Sequence, residues 1–321
     1  MPDFTSSDSF RKNGFVLIEN VLDCDEVARL RVKLSKDFSR HTRTMETIRY
    51  FLENKELHAL QFNPKIIGKL KEVVGDDFTY VNNIEIQCNS FGLNGRKDGW
   101  HPDCGSEVAD ISNQYLFESG YLFGKVGVFL QDNTLEFGGG IDALVGGHRA
   151  FRNFGNPFFN YVFWKLASEF QHKVGKKITV PVKAGSAVYF DSRLPHRSSP
   201  GTLIQGAGKK MARVELPPEH SKYVLYWEAT DSRGARDFLR NAQKRAILED
   251  AANGSELFFT EYLGYVYPEH YPSSYKRLVE LSASVRIASI DPMRAMCFRT
   301  LYQNQTHDLD SIERIGLSPA P

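Results

Sequence analysis

The stretch Gly99-Trp100-His101-Pro102-Asp103 places an imidazole and a carboxylate two residues apart. On an extended chain, side chains at that spacing point to the same face, so His101 and Asp103 can reach one ion together. A second histidine, His196, lies far downstream, at the end of the predicted strand SAVYFDSRLPH. Two imidazoles and one carboxylate on one face of a metal ion leave three positions open. That is the facial arrangement of non-haem iron(II) oxygenases, and a chelating co-substrate together with dioxygen needs those open positions. An isolated His-x-Asp is common by chance and the chain has nine histidines, so the text around the three residues has to carry the case.

That text reads as strands. FTYVNNIEIQCNSFG, YLFGKVGVFLQD, GGIDALVGG, KKITVPV, SAVYFDSR and KYVLYWEAT are rich in β-branched and aromatic residues. Turn chemistry separates them at Asn94-Gly95, Gly138-Gly139-Gly140, Lys183-Ala184-Gly185 and Pro200-Gly201. Short strands without a regular helix between each pair argue against a doubly wound parallel sheet and for an antiparallel sandwich or jelly roll. Before them, a short strand over Phe15 to Ile18 precedes a helix with Asp23 as N-cap and Glu26 as its capping-box partner, burying Val27, Leu30 and Leu34. Residues 43–75 read as further helix, broken at Asn63-Pro64. A helical insertion is expected over residues 151–173. Helical periodicity returns after residue 231, in ARDFLRNAQKRAILEDAA and SSYKRLVELSASVRIA. The expected organisation is a single catalytic domain over 1–321: strand and helices over 1–75, a β-core over 76–230, and a helical extension over 231–321.

Composition narrows the classes. Of 321 residues, 41% are hydrophobic and 25% charged, with 23 Phe and 14 Tyr, which suits a β-rich core with large side chains. A formal net charge of +1 supplies no global field for nucleic acid or an anionic membrane, so neither is an expected partner. The opening MPDFTSSDSF has no basic-then-apolar leader, and no apolar run is long enough to span a bilayer. The cysteines Cys24, Cys88, Cys104 and Cys297 form no Cys-x-x-Cys pair, so a disulfide framework and a zinc–thiolate site are not indicated. A cytoplasmic protein, monomer or homodimer, is expected. The glycines at 138–140 lack the following Lys-Ser/Thr of a phosphate loop, and no Gly-x-Ser-x-Gly elbow occurs.

The chain resembles the phytanoyl-CoA dioxygenase family of iron(II)/2-oxoglutarate oxygenases from about residue 10 to about residue 230. NGFVLIENVLDCDEVARLR is similar to the family's opening strand and helix, and WHPD to its metal-binding His-x-Asp. KVGVFLQDNTLEFGGGIDALVGGHR resembles its strand, turn and "GG…PGSH" segment, with Val145 where the family usually has Pro. KAGSAVYFDSRLPHRSS resembles the strand that carries the distal histidine. The resemblance implies a double-stranded β-helix (cupin-like jelly roll) with flanking helices. It also implies iron(II) held by His101, Asp103 and His196, with 2-oxoglutarate and dioxygen as co-substrates. The implied reaction oxidises an unactivated C–H bond of a small molecule, by hydroxylation, cyclisation or desaturation, in natural-product biosynthesis. Related halogenases replace the acidic ligand by a small residue; Asp103 is present, so halogenation is not expected.

The anchor for the remote carboxylate of 2-oxoglutarate is where the pattern departs. The family places an arginine, whose planar fork matches a carboxylate, at the start of the strand after the distal histidine. Here Ser221 stands there, with Lys222 beside it and Arg213 upstream of a spacing-blurring insertion, GTLIQGAGKK. Arg213 and Lys222 rank equally as anchors, ahead of Lys125 on an inner strand; each alone is more often a solvated surface charge. Gln87, which alternates with Asn89 along one strand face, and Ser198, two residues after His196, are further candidates for the co-substrate pocket. Trp100 is a candidate wall, or a packing residue. Asn82, Asn83 and Asp142 are candidate polar groups for the substrate. His148 is read as a structural turn residue, and His172 and His220 as loop residues. The missing arginine favours one alternative, a cupin-like metalloenzyme that does not use 2-oxoglutarate; a second alternative is a non-catalytic jelly-roll binding protein whose metal site is accidental or structural.

Overall fold

A computed structural model of the protein describes residues 3–37, 50–51, 54–76, 78–89, 91–92, 99–104, 114–200, 214–216, 218–235 and 237. Helix α1 (Ser7–Asn13) starts at the Ser6 cap and ends at Gly14, whose φ of 92° is the left-handed conformation that closes a helix. Strand β1 (Phe15–Ile18) follows, as expected. Helix α2 (Cys24–Asp37) opens with the expected reciprocal cap: Glu26 N donates to Asp23 Oδ1 and Asp23 N to Glu26 Oε2, both at 2.8 Å. Its Val27, Leu30 and Leu34 are buried. Helices α3 (Lys55–Ala59) and α4 (Pro64–Val73) follow, the latter capped by Asn63 with proline in its first turn. Leu60–Phe62 between them form a 3-10 turn, and Tyr50 and Phe51 are helical; residues 43–49 and 52–53 of the expected helix lie outside the described residues.

The strands are β2 (Thr79–Asn89), β3 (Phe91–Gly92), β4 (Gly124–Phe129), β5 (Ile141–Leu144), β6 (Lys177–Thr179), β7 (Ser186–Asp191), β8 (His196–Ser198), β9 (Val214–Glu215) and β10 (Lys222–Thr230). They form a five-stranded sheet in the order β1-β7-β4-β10-β2, a three-stranded sheet in the order β6-β5-β8, and the pair β3-β9. Every pairing is antiparallel. The insertion between β5 and β6 is helix α5 (Pro157–Val174). It starts six residues later than the sequence predicts, because Asn156 caps it through Phe158 N and Phe159 N and Pro157 opens it. Of the helical extension expected from residue 231, only 231–235 and 237 are described.

Alternation divides the large sheet cleanly. Val126, Val128, Ala187, Tyr189, Leu225, Trp227, Ile84 and Ile86 face the helices and pack with Leu30, Leu34, Ile66 and Leu70. Phe129, Val188, Phe190, Val224 and Tyr226 face the other way, onto Ile141 and Ala143 of the small sheet, closing a second core between the sheets. Two antiparallel sheets face to face, with helices outside, make the fold mainly β: a jelly-roll core of the double-stranded β-helix kind. No helix among the described residues is long and apolar enough to cross a membrane.

Candidate metal centre

The sequence predicts one strand running to the distal histidine, but the structure breaks it in two. β7 ends at Asp191, whose carboxylate accepts from Arg193 N and holds the Arg193 guanidinium at 2.7 Å, while Leu194 N bonds back to Asp191 O at 2.9 Å. This buried turn reverses the chain and starts β8 at His196, in the other sheet. There the two histidines meet backbone to backbone: His101 N donates to His196 O at 2.9 Å and His196 N to His101 O at 3.0 Å. Hence two residues 95 positions apart in sequence are fixed as a bridged pair, with ring centroids 4.7 Å apart.

The side chains of His101, Asp103 and His196 then converge, with one donor atom of each within 4.8 Å of the others. Asp103 Oδ1 stands 3.8 Å from His101 Nε2 and 3.7 Å from His196 Nε2. Both separations are too long for hydrogen bonds. Each Nδ1 lies 2.9 Å from a carbonyl, Gly99 O for His101 and Leu194 O for His196. A carbonyl only accepts, so Nδ1 carries the proton and Nε2 presents its lone pair. Three lone-pair donors therefore face one point with no proton between them. Such a set is repulsive unless a cation sits among the donors, and it suits a divalent metal that takes imidazole nitrogen and carboxylate oxygen.

Electrostatics point the same way. Burial lowers the His196 pKa, which favours the neutral, ligating form. Burial would raise the Asp103 carboxyl, but the Lys125 ammonium holds it below the ordinary carboxylate range. Its side chain is 16% exposed, that of His196 10% and that of His101 59%, so the cluster is closed on the core side and open past His101. The Phe190 ring backs His196 at 4.7 Å between centroids.

Around this cluster the proposed co-substrate residues divide. Lys222 is buried at the start of β10, and its Nζ donates to Ser198 Oγ at 2.9 Å. Ser198 faces the same side of β8 as His196, two residues on. Gln87 pairs with Val224 across β2 and β10, so it shares the inner face, and its amide donates to Glu85 Oε1 at 2.8 Å. Lys125 is also on the inner face, but it meets Asp103 rather than Ser198, with Nζ 3.1 Å from Oδ2. Arg213 lies outside the described residues, as do the side chains of Asn82, Asn83 and Asn89. Asp142 is not in the pocket: it faces outward from β5, pairing with Arg197 Nε at 3.0 Å and accepting from Thr179 Oγ1 at 2.9 Å. Trp100 is a clamp, with the Arg197 guanidinium 5.0 Å from its ring centroid and His172 edge-on at 6.0 Å. His172 thus belongs to α5, not a loop, and His220 sits in a short 3-10 turn stacked on Phe137. His148 is buried, its Nε2 bonding Arg11 O at 3.1 Å, a structural turn residue as expected. Glu85 and Glu228, both on the inner face, escaped the sequence reading; the period-two alternation with Gln87 and Tyr226 was the available signal.

No protein-family model matches the chain, and no curated protein matches it. Solved structures with similar backbones include the non-heme alpha ketoglutarate dependent epimerase SnoN from nogalamycin biosynthesis, at 14% identity and a TM-score of 0.46, covering 70% of this chain and 81% of that one. Another is EctD from S. alaskensis with bound Fe, at 14% identity and a TM-score of 0.48, covering 71% and 76%. A third is the non-heme monooxygenase ThoJ–Ni complex, at 16% identity and a TM-score of 0.44, covering 71% and 77%. Likeness of this degree assigns no chemistry to the present chain; its own side chains have to do so.

Proposed function

We propose that the protein is an iron(II)- and 2-oxoglutarate-dependent oxygenase of the phytanoyl-CoA dioxygenase type, cytoplasmic and acting on a C–H bond of a small molecule. The observation that carries this reading is the convergence of two Nε2 atoms and one carboxylate oxygen, with each Nδ1 2.9 Å from a backbone carbonyl. Iron bound there supplies the oxidising chemistry, with dioxygen as oxidant and 2-oxoglutarate leaving as succinate and carbon dioxide. The chain's own part is positional. His101, Asp103 and His196 hold the ion from one side and leave the side past His101 open. Lys222 and Ser198 bind the remote carboxylate. The two strand residues from His196 to Ser198 span roughly 6.6 Å, about the reach of a five-carbon diacid. Ammonium and hydroxyl together give it one charge-assisted and one neutral hydrogen bond. Lys222 thus does the work of the arginine that Ser221 replaces. Phe129, Phe190 and Ile141 make the apolar wall that keeps water from the reacting bond.

The test is succinate release from 2-oxoglutarate in air. Release that requires added iron(II), with Lys222→Met raising the KM for 2-oxoglutarate at least about 10-fold and leaving metal binding intact, supports the reading. Iron binding without any succinate release contradicts it. That outcome, together with the serine at 221, favours the cupin-like metalloenzyme that does not use 2-oxoglutarate.

A further inference from the structure

The inner face of the large sheet carries a second, mostly enclosed cation for which the proposed chemistry has no use. Lys125 lies on β4, directly across from Glu228 on β10 and Phe190 on β7. Its Nζ sits 3.1 Å from Asp103 Oδ2 and 5.6 Å from the centroid of the Tyr226 ring. At that distance the ammonium and the carboxylate form an ion pair. Tyr226 can lie across β4 because residue 127 is glycine: a Cβ there would stand 2.5 Å from the ring. Glu228, directly across on β10, and Glu85, across from Tyr226 on β2, put two further carboxylates on the same face.

The two oxygens of Asp103 therefore have different neighbours. Oδ1 faces His101 Nε2 and His196 Nε2 at 3.8 and 3.7 Å, whereas Oδ2 faces the ammonium. A carboxylate free to turn can give a metal both oxygens and so occupy two positions, leaving two open. With one oxygen tied back, it gives one and leaves three, the number that a chelating co-substrate and dioxygen require together. Lys125 is poorly placed to bind the co-substrate, since its ammonium already stands 3.1 Å from Asp103 Oδ2, whereas Lys222 Nζ meets the Ser198 hydroxyl two residues along β8 from His196.

We propose that Lys125 is a positioning residue: it holds Asp103 as a single-oxygen ligand and is not the anchor of 2-oxoglutarate. The inference rests on reading His101, Asp103 and His196 as a metal centre. The two lysines should then separate in a binding experiment that needs no turnover. Mn(II) affinity, and 2-oxoglutarate affinity of the Mn(II)-loaded protein, are measured for the wild type, Lys125→Met, Lys125→Arg and Lys222→Met. Removing a group that orients a metal ligand costs roughly 10–100-fold in metal affinity. Lys125→Met should lose about that much, and Lys125→Arg, which keeps a cation at Oδ2, should recover most of it. Lys222→Met should bind Mn(II) as the wild type does and lose 2-oxoglutarate. If Lys125→Met does not fold, Lys125→Gln, a neutral donor of similar length, takes its place with a loss in the same direction. Wild-type Mn(II) affinity in the folded Lys125 variant overturns the proposal, and loss of 2-oxoglutarate alone would make Lys125 the anchor instead. A wild-type protein that binds no Mn(II) overturns the metal centre and this inference with it. One that binds Mn(II) but not 2-oxoglutarate sinks the co-substrate assignment and leaves the Lys125 comparison decisive.

Discussion

Neighbouring rungs of one strand pair, β4 with β10, serve opposite ends. Val126 stands across from Trp227, and one residue away Lys125 stands across from Glu228. The first pair points to the helices, where Trp227 is fully buried among Phe51, Tyr80 and the apolar faces of α2 and α4. The second points between the sheets, toward Asp103. The outer face carries Val126, Val128, Ala187, Tyr189, Leu225 and Trp227 against the helices. The inner face is apolar only at its centre, with Phe129, Val224 and Phe190, and turns charged at Lys125, Glu228 and Glu85 and again at Lys222. Hydrophobic burial against the helices stabilises the sheet, and that stability lets the other face hold charges whose burial is costly. Stability and chemistry are thus assigned to alternate residues of the same strands.

The comparison breaks if substitutions on the two faces have the same consequences. The largest effect expected is from Trp227→Ala on the outer face, about 3–5 kcal/mol of stability lost to the cavity it leaves. Chemical unfolding measures it, and the protein that remains folded should bind metal normally. His196→Ala on the inner face should do the reverse. Metal affinity should fall by more than about 100-fold, since a ligand is worth more than the groups that orient it, while the melting temperature of the metal-free protein hardly moves. Ser198→Ala should act more gently still, weakening 2-oxoglutarate about 10-fold through one lost hydrogen bond and sparing metal affinity; titration calorimetry separates the two.

The smallest effect concerns pH. Burial lowers the pKa of both His148 and His196 below the ordinary histidine value of 6.5. Below 6.5 the unfolded chain takes up protons that these rings refuse in the folded state. The metal-free protein is therefore at full stability above that pH and loses it as pH falls toward the lowered folded values. The slope is at most about 1.4 kcal/mol per pH unit for each proton. Urea melts at neutral and mildly acidic pH should show the loss, and His148→Gln should remove part of it without touching metal binding.

What could be read ahead of the structure was what is local. Strand β1 and the Asp23–Glu26 cap depend on residues within one turn of each other, and both stand as expected. The His-x-Asp spacing is also local, since two residues on an extended chain share a face whatever the fold. The break before His196 was not legible, because it depends on a buried Asp191–Arg193 pair inside a run that otherwise reads as continuous strand. Nor was the sorting of the lysines. Lys125 reaches Asp103 and Lys222 reaches Ser198 only through the order β7-β4-β10 and the facing of the two sheets, which no window of sequence contains. Asp142 misled for the converse reason: its neighbours Ile141 and Ala143 face the core, so the alternation turns it outward to Arg197.

The most direct measurement is an anaerobic titration of the iron(II)-loaded protein with 2-oxoglutarate, following the weak visible charge-transfer absorption of the chelate, with His101→Ala in parallel. The expected result is a band that saturates at one equivalent in the wild type and is missing in the variant. A protein that binds iron(II) through this cluster and shows no band on saturation with 2-oxoglutarate would contradict the account.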